Sequence, residues 1–252
     1  MSTQSVFGWH AVSHLLHNAP QRVLSVRMQN DRDDARAREL LAAIDIAGTH
    51  LERVPREQLD KLADDASHQG VIATIRASQE RGEDELFDLV AKRGDELLLL
   101  ILDSVQDPHN LGACLRSADG AGVHGVIAPK RRAVGLTDTV RKVASGAAET
   151  VPFFRVTNLS RTLTTLGDAG VWRVGTSDQA SEPLWQARFT GPLALVMGGE
   201  AKGMRRLTTE KCDALISLPM HGAVSSLNVS VATGIVLYEA VRQRIAPSST
   251  NQ

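Results

Sequence analysis

The chain has 252 residues, of which 42% are hydrophobic and 23% are charged, and its formal net charge is −1. A chain of this length can bury a substantial core, and it predicts one large domain or two smaller ones. Its most apolar run, Leu97–Leu102, is far shorter than the roughly 20 residues that span a bilayer. We therefore predict no membrane-spanning segment.

The first residues contain no basic segment followed by an apolar one, which predicts a cytoplasmic protein. Cys114 and Cys212 are the only cysteines, and neither lies in a CxxC pair, so we predict free thiols rather than a disulfide framework or a zinc site. The charge is uneven: residues 78–103 carry 3 basic and 8 acidic side chains, and residues 104–252 carry 16 and 11. Proteins that bind nucleic acids usually carry a basic surface, so the net charge of −1 argues weakly against such a partner. The basic second half of the chain weakens that argument.

Residues 1–77 are predicted to form a small α/β domain. Hydrophobic periodicity predicts, in chain order, a helix, a strand, a helix and a strand at His10–His17, Val23–Met28, Asp34–Ala47 and Gly70–Arg76. A polar, charge-rich stretch begins at residue 77 and lacks a sustained apolar period. We therefore predict an interdomain linker over residues 78–95.

Residues 96–252 are predicted to form a larger α/β domain in which strands and helices alternate. The predicted strands are 97–102, 125–128, 151–156, 172–175, 193–197 and 214–218, and the predicted helices are 111–121, 137–145, 159–169 and 229–244. This alternation predicts a mainly parallel sheet with helices on both faces. Ligands bind such sheets at the carboxyl ends of the strands, so the candidate residues are sought in the loops there.

The first candidate loop, Asp103–Asn110, joins a buried strand to a helix that Asn110 is predicted to cap. Arg116 follows on that helix, among small and apolar residues. A guanidinium in such surroundings needs an acidic partner. The partner is either a substrate phosphate or a nearby carboxylate such as Asp119 or Asp103.

The second candidate loop, Gly198–Gly203, is rich in glycine and contains Glu200 as its carboxylate. Glycines let the backbone approach a ligand closely, but no Lys-Ser/Thr pair follows, so the loop is not of the Walker A type. The third loop, Met220–Gly234, contains small and hydroxyl residues, including Ser226. Asn228 is predicted to cap the closing helix.

Together the three loops contain the sequences DPHNLGACLRSADGAG, VMGGEAKGMRR and LPMHGAVSSLNVSVATGIVLYEA. In order and spacing they resemble the three motifs of the TrmH family in the SPOUT superfamily. FGWHAV near the N-terminus and HQGVIA at residues 68–73 are similar to the N-terminal module of the ribosomal-RNA guanosine-2′-O-methyltransferases of that family. The second loop departs from the family pattern at Gly199, Ala201 and Met204, whereas Glu200 and Gly203 are present.

The resemblance implies an enzyme that uses S-adenosylmethionine (SAM) to methylate the 2′-hydroxyl of a guanosine in 23S ribosomal RNA, in the P-loop of the peptidyl transferase centre. It also implies a homodimer, a deep trefoil knot in the catalytic domain and an L30e-like RNA-binding domain at residues 1–77. Carried over residue by residue, the catalytic positions are Asn110, Arg116, Glu200, Ser226 and Asn228. The cofactor-binding positions are Gly198, Gly203, Leu218, Met220 and Leu227.

Arg116 is unsuited to act as a general base, because guanidinium groups stay protonated in proteins. We expect it instead to bind a phosphate and to stabilise the negative charge that develops on the 2′-oxygen. Glu200 either orients Arg116 or accepts the proton through water, while Asn110 and Asn228 fix the local geometry. His109 is a further candidate base, since an imidazole titrates near neutral pH.

His10, His14 and His17 fall on one helix face at spacings that occur in metal sites. Because no second group of ligands accompanies them, we predict no metal. Three basic clusters of the second half are expected to contact RNA phosphates, namely Lys130–Arg132, Arg141–Lys142 and Arg205–Arg206.

Two other functions stay open from the sequence. One is a transfer-RNA ribose 2′-O-methyltransferase of the same family, which methylation of separate RNA pools distinguishes. The other is a noncatalytic RNA-binding or ribosome assembly protein, which would not bind SAM.

Overall fold

The computed structural model describes residues 3–63, 67–199 and 203–245 of the chain. It divides into two compact units. The N-terminal unit comprises residues 1–79 together with residues 145–150, and the C-terminal unit comprises residues 80–144 and 151–252.

The N-terminal unit alternates strands and helices, as its periodicity predicts. Its elements are β1 (Thr3–Phe7), α1 (Trp9–Asn18), β2 (Val23–Gln29), α2 (Ala35–Ala47), β3 (His50–Val54), α3 (Arg56–Ala63) and β4 (Val71–Arg76). They form a four-stranded sheet in the order β1-β4-β2-β3, in which only β2 and β3 pair in parallel. Val26 and Met28 of β2 pack with Val12 and Leu15 of α1 in the main core of this unit.

The remaining elements follow the same alternation. They are α4 (Glu83–Arg93), β5 (Leu98–Asp103), α5 (Pro108–Gly120), β6 (Gly125–Pro129), α6 (Asp138–Ala144), α7 (Ala147–Thr150), β7 (Phe153–Val156), α8 (Leu159–Asp168), β8 (Trp172–Thr176), β9 (Glu182–Pro183), β10 (Leu193–Gly198), α9 (Arg206–Thr209), β11 (Ala214–Ser217) and α10 (Val229–Ile245). Short 3₁₀ turns lie at Pro20–Arg22, Gly94–Glu96 and Leu184–Gln186.

The C-terminal unit is built on a seven-stranded sheet in the order β7-β6-β5-β10-β8-β11-β9. Every recorded pair of neighbouring strands in it is parallel, which confirms the predicted parallel sheet. Leu99 and Ile101 of β5 pack with Leu86 of α4 and Leu163 of α8. Alternate residues of a strand face opposite sides of the sheet, and every residue of β5 is buried, so both faces of the sheet are covered. On the second face, α10 contacts β10 and α5.

The predicted linker over residues 78–95 is wrong for most of its length, because residues 83–93 form helix α4. Its first turn carries Glu83, Asp84 and Glu85, which suit the amino end of a helix dipole but make the segment look like a solvated connector. Leu86 is fully buried in the C-terminal unit. The helix is thus part of that unit.

The segment 145–150 belongs to the N-terminal unit although it follows α6 in the chain. The buried carboxylate of Glu149 accepts hydrogen bonds from the Arg22 guanidinium at 2.5 Å and from the Ser78 amide at 2.6 Å. The sequence predicted only a helix ending and a strand beginning here. These contacts agree with the assignment, since Arg22 and Ser78 both lie in the first 79 residues.

Cys114 and Cys212 are not joined in a disulfide. Cys114 is buried in α5, where its Sγ lies 3.6 Å from Thr233 Oγ1. Burial raises the pKa of the Cys212 thiol to about 12, so this thiol stays protonated and unreactive near neutral pH. Within the described residues, no helix is long and apolar enough to cross a membrane.

Candidate active site

The first and second candidate loops begin side by side, because β5 and β10 are neighbours in the sheet and Asp103 pairs in register with Gly198. The turn after β10 is very tight. A side chain on Gly198 would place its Cβ 2.2 Å from the carbonyl carbon of Gly203, and one on Gly199 would place it 2.4 Å from the Ser104 carbonyl oxygen. Real Cβ atoms do not approach other atoms so closely, so both positions require glycine.

Asp103 ties the two loops together. Its carboxylate is fully buried, and it accepts hydrogen bonds from the Arg205 amide at 2.9 Å and from Arg205 Nε at 2.7 Å. Ser104 Oγ donates to the same carboxylate at 3.1 Å. The segment after the glycine turn is therefore fixed to the end of β5, and Asp103 is a positioning residue that sequence reasoning mentioned only as a partner for Arg116.

The helix that carries Asn110 begins earlier than predicted. Pro108 is its first residue, and Asp107 caps it by accepting a hydrogen bond from the His109 amide at 2.8 Å. The predicted cap at Asn110 is therefore wrong, since Asn110 lies inside the first turn of the helix. Proline directly after Asp107 was the local signal for a helix that begins at residue 108, because proline favours the first turn of a helix.

The structure brings Asn110 and Asn228 together. Asn228 Nδ2 donates a hydrogen bond to Asn110 Oδ1 at 3.0 Å, across 118 residues of sequence. Asn228 Oδ1 accepts from the Ser230 amide at 2.9 Å, which is the predicted cap of α10. One side chain thus both begins the closing helix and joins it to the first loop.

Arg116 lies on the exposed side of α5. Among the described residues its guanidinium has no hydrogen-bond or ionic partner, and Asp103 is already occupied by Arg205. The alternative in which Asp103 or Asp119 holds Arg116 is therefore wrong. A guanidinium without a partner among the described residues is available for an anionic ligand.

The third loop is open to solvent. Residues 221–228 are all exposed, including the apolar side chain of Leu227, and Leu218 and Met220 are partly exposed. In the described parts of the chain, the backbone amides and carbonyls of residues 218–227 make no hydrogen bonds. Backbone groups without partners next to apolar side chains are what an adenosyl ligand needs for its base edge and its ring face.

The remaining candidates are not joined to this arrangement by any described contact. Glu200 lies outside the described residues. Ser226 and the His109 side chain are exposed and have no hydrogen-bond partner among the residues described. His10, His14 and His17 lie on the exposed face of α1, and no group of three or more described histidine, cysteine or acidic residues is arranged to hold a metal ion.

Replacing Asn228 with alanine is expected to lower the free energy of unfolding by about 1 kcal/mol, because α10 loses its cap. It is also expected to lower turnover, because Asn110 loses its partner. Asn158→Ala is the matched control, since Asn158 caps α8 by accepting from the Arg161 amide at 3.1 Å. Urea titration should give similar losses for the two variants, and the link to activity is refuted if both keep full turnover.

The comparisons with known proteins agree with this geometry. Residues 97–238 match the family model described as SpoU rRNA Methylase family, and residues 5–81 match one described as RNA 2'-O ribose methyltransferase substrate binding. The chain is 53% identical over 242 residues to the 23S rRNA (guanosine-2'-O-)-methyltransferase RlmB of Escherichia coli K12, covering 96% of this chain and 99% of that protein. It is 52% identical over 246 residues to the protein of the same name from Vibrio vulnificus, covering 98% and 99%.

A solved structure shares the fold. It is the SpoU methyltransferase AviRb from Streptomyces viridochromogenes in complex with its cofactor AdoMet, with a TM-score of 0.71, 25% sequence identity, and 97% of this chain and 92% of that chain covered. The resemblance seen in the three loops is confirmed over nearly the full length of the chain. The chain belongs to the SpoU rRNA methylase family.

Proposed function

We propose that this protein methylates the 2′-hydroxyl of a guanosine in 23S ribosomal RNA, with SAM as methyl donor. The observation that carries the proposal is the 53% identity over 96% of the chain to an enzyme named for this reaction. The hydrogen bond between Asn110 and Asn228 supports it, and so does the guanidinium of Arg116, which has no partner among the described residues, because candidate catalytic residues kept in this arrangement argue against a noncatalytic relative.

The residues at the second and third loops fit SAM. The backbone groups of residues 218–227, which make no hydrogen bonds to described residues, and the exposed Leu227 suit the adenosine part. The tight approach of Gly198 to Gly203 leaves backbone at the strand end free of side chains. When bound there, SAM supplies a methyl group activated by its positively charged sulfur. Leu218 and Met220 complete the proposed cofactor-binding set.

Arg116 is the residue that we assign to the reacting hydroxyl. Its free guanidinium binds the phosphate beside the target ribose, and it stabilises negative charge on the 2′-oxygen. Asn110 and Asn228 hold the loops that surround the ribose. Glu200 orients Arg116 or receives the proton through water, and Ser226 lines the ribose side of the pocket.

The cluster Lys130–Arg132 is the best placed of the three predicted RNA contacts. It follows β6, which pairs with β5, so it lies at the same edge of the sheet as Asp103. All three side chains are exposed and have no acidic partner among the described residues. Arg205 and Arg206 are instead engaged by Asp103 and Glu210.

Replacing Lys130, Arg131 and Arg132 with glutamine is expected to reduce the slope of log affinity for ribosomal RNA against log salt by about 2, because three phosphate contacts are lost. Filter binding between about 50 and 200 mM salt measures it. Arg206→Gln, which removes an arginine already paired with Glu210, should leave the slope unchanged. Affinity of the wild type that does not fall as salt rises would contradict phosphate contact altogether.

A homodimer, a knotted C-terminal unit and an L30e-like N-terminal unit are part of the proposal. The dimer is supported by an apolar stripe on α10, where Val231, Tyr238 and Ile245 are exposed at intervals of seven residues and so share one face. The knot and the L30e-like fold rest on family membership, and for the N-terminal unit on the substrate-binding match over residues 5–81. The bacterial relatives are named for methylation of ribosomal RNA, which supports a cytoplasmic location.

Methylation of separate ribosomal and transfer RNA pools by the purified protein with radiolabelled SAM tests the function. We expect incorporation only into 23S RNA, at a guanosine of the P-loop, which mapping in RNA from cells lacking the protein would identify. Incorporation into transfer RNA alone would assign the protein to the other branch of the family. Absence of SAM binding in calorimetry would leave a noncatalytic RNA-binding protein.

A further inference from the structure

A second concave site lies in the C-terminal unit. It is a cavity of about 350 Å³ lined by Trp172, Val174, Glu182, Ala187, Arg188, Thr190 and Ala214. Trp172 and Ala214 are the first residues of β8 and β11, so this side of the cavity lies at the amino ends of these strands, whereas Glu182 of β9 pairs in register with Ile216 of β11. The candidate active site lies at the carboxyl ends.

Trp172 is well separated from the glycine turn along the sheet. It pairs in register with Leu193 of β10, and Gly198 lies five residues further along that strand. At about 3.3 Å per residue, roughly 16 Å of strand lies between Trp172 and the glycine turn, and Glu182 lies on β9, three strands away from β10 in the sheet order. A base stacked on Trp172 is therefore not the base of the nucleoside whose ribose reacts.

The three groups best able to bind a ligand are unused by the protein. Within the described residues, the indole of Trp172, the carboxylate of Glu182 and the terminal nitrogens of Arg188 have no hydrogen-bond or ionic partner. Arg188 Nε donates to Thr190 Oγ1 at 2.7 Å, which fixes the guanidinium without neutralising it. The neighbouring charges are satisfied elsewhere, since Arg173 pairs with Asp213.

Trp172 offers an exposed aromatic surface. The residue is 46% exposed although it lines the same cavity as the buried Val174 and Ala187. A large aromatic face over an apolar hollow suits a planar ring, and unpaired RNA bases are commonly bound by stacking on tryptophan.

The opposite charges of Glu182 and Arg188 indicate which RNA base the cavity would bind. Glu182 and Arg188 line the same cavity but do not form an ion pair with each other, so both are free for one ligand. Guanine presents two acceptors, O6 and N7, which suit a guanidinium, and two donors, N1–H and the exocyclic amine, which suit a carboxylate. Adenine, cytosine and uracil lack one or the other pair.

We propose that this cavity binds an unpaired, non-target guanosine of the RNA substrate, with the base stacked on Trp172, Arg188 on its O6 and N7 edge and Glu182 on its N1 and amine edge. The proposal rests on the proposed function for the identity of the RNA. The site holds the substrate at a second point, and its loss affects RNA affinity while leaving the cofactor site intact.

Fluorescence anisotropy of a labelled U-rich hexaribonucleotide with one central guanosine tests the site, with the adenosine counterpart measured in parallel. Trp172→Ala is expected to weaken binding of the guanosine oligonucleotide at least about fivefold, as loss of one stacked base does. Glu182→Gln, which removes a carboxylate that has no hydrogen-bond or ionic partner among the described residues, should abolish the preference for guanosine over adenosine. Trp185→Ala is the matched control. Trp185 lies between Glu182 and Arg188 in the chain and is 59% exposed, but it does not line the cavity.

Equal affinity of the wild type for the two oligonucleotides would overturn the proposal, and so would equal effects of Trp172→Ala and Trp185→Ala. Guanosine monophosphate that binds as tightly as the oligonucleotide would assign the cavity to a free nucleotide instead of RNA. Calorimetry of SAM binding to the same variants separates the two claims. If the wild type does not bind SAM, the proposed function is wrong, but the preference for guanosine over adenosine can still be measured.

Discussion

Replacing Arg116 with lysine is expected to lower the rate of methyl transfer by about 10²-fold or more, with little change in SAM affinity. The guanidinium has a planar pair of donors that meets a phosphate oxygen and the 2′-oxygen together, whereas an ammonium is a compact point charge. Single-turnover kinetics with saturating RNA measures the step directly. The loss should appear in the rate constant rather than in the cofactor dissociation constant.

The stability of the Arg116→Lys variant should match that of the wild type, because the guanidinium is exposed and makes no contact with described residues. Arg93→Lys is a matched control: Arg93 is also an exposed helical arginine without a described side-chain partner, and it lies near the amino end of β5. It should keep full activity. Near-normal turnover of Arg116→Lys would show that the planar fork is unnecessary and would return the search to Glu200 or His109.

Most of the secondary structure follows from patterns within single segments. The strand predicted at 97–102 is observed at Leu98–Asp103, and the helix predicted at 229–244 is observed at Val229–Ile245. A short, fully apolar run is a strong local signal for a buried strand, and a long stretch without proline that follows a capping residue is one for a helix. The parallel order of the sheet followed from their alternation.

The errors arose where two signals competed locally. Helix α4 was taken for a linker because three acidic residues precede its apolar positions Leu86 and Val90. The start of α5 was misplaced because both Asp107 and Asn110 are good caps, and proline at position 108 decided between them. Charge and capping preference alone do not rank such alternatives.

What the sequence did not predict depends on contacts between distant residues. Asp103 meets Arg205 across 102 residues, and Glu149 meets Arg22 across 127. Neither pair can be predicted from a local sequence pattern, because nothing in the residues around Arg205 or Arg22 distinguishes them from other arginines of the chain. For the same reason the motifs named Asn110 and Asn228 as candidates through family resemblance, while their hydrogen bond became known only from the fold.

The Asp103–Arg205 contact leads to the second large effect. Asp103→Ala is expected to lower the free energy of unfolding by about 3 kcal/mol, because it removes a buried carboxylate and leaves the Arg205 amide and guanidinium without their acceptor. SAM affinity should fall in parallel, since the segment after the glycine turn is no longer held to β5. Urea unfolding and calorimetry measure the two losses.

A double-mutant cycle separates the guanidinium from the amide. Arg205→Ala removes the 2.7 Å bond from Nε but keeps the 2.9 Å bond from the backbone. The cycle should therefore give a coupling energy of about 1–2 kcal/mol, smaller than the whole effect of Asp103→Ala. Arg206→Ala is the control beside it, because an exposed pair with Glu210 contributes less than about 0.5 kcal/mol. If Asp103→Ala costs as much in the Arg205→Ala background as in the wild type, the guanidinium does not stabilise the loop, and the backbone amide alone fixes it.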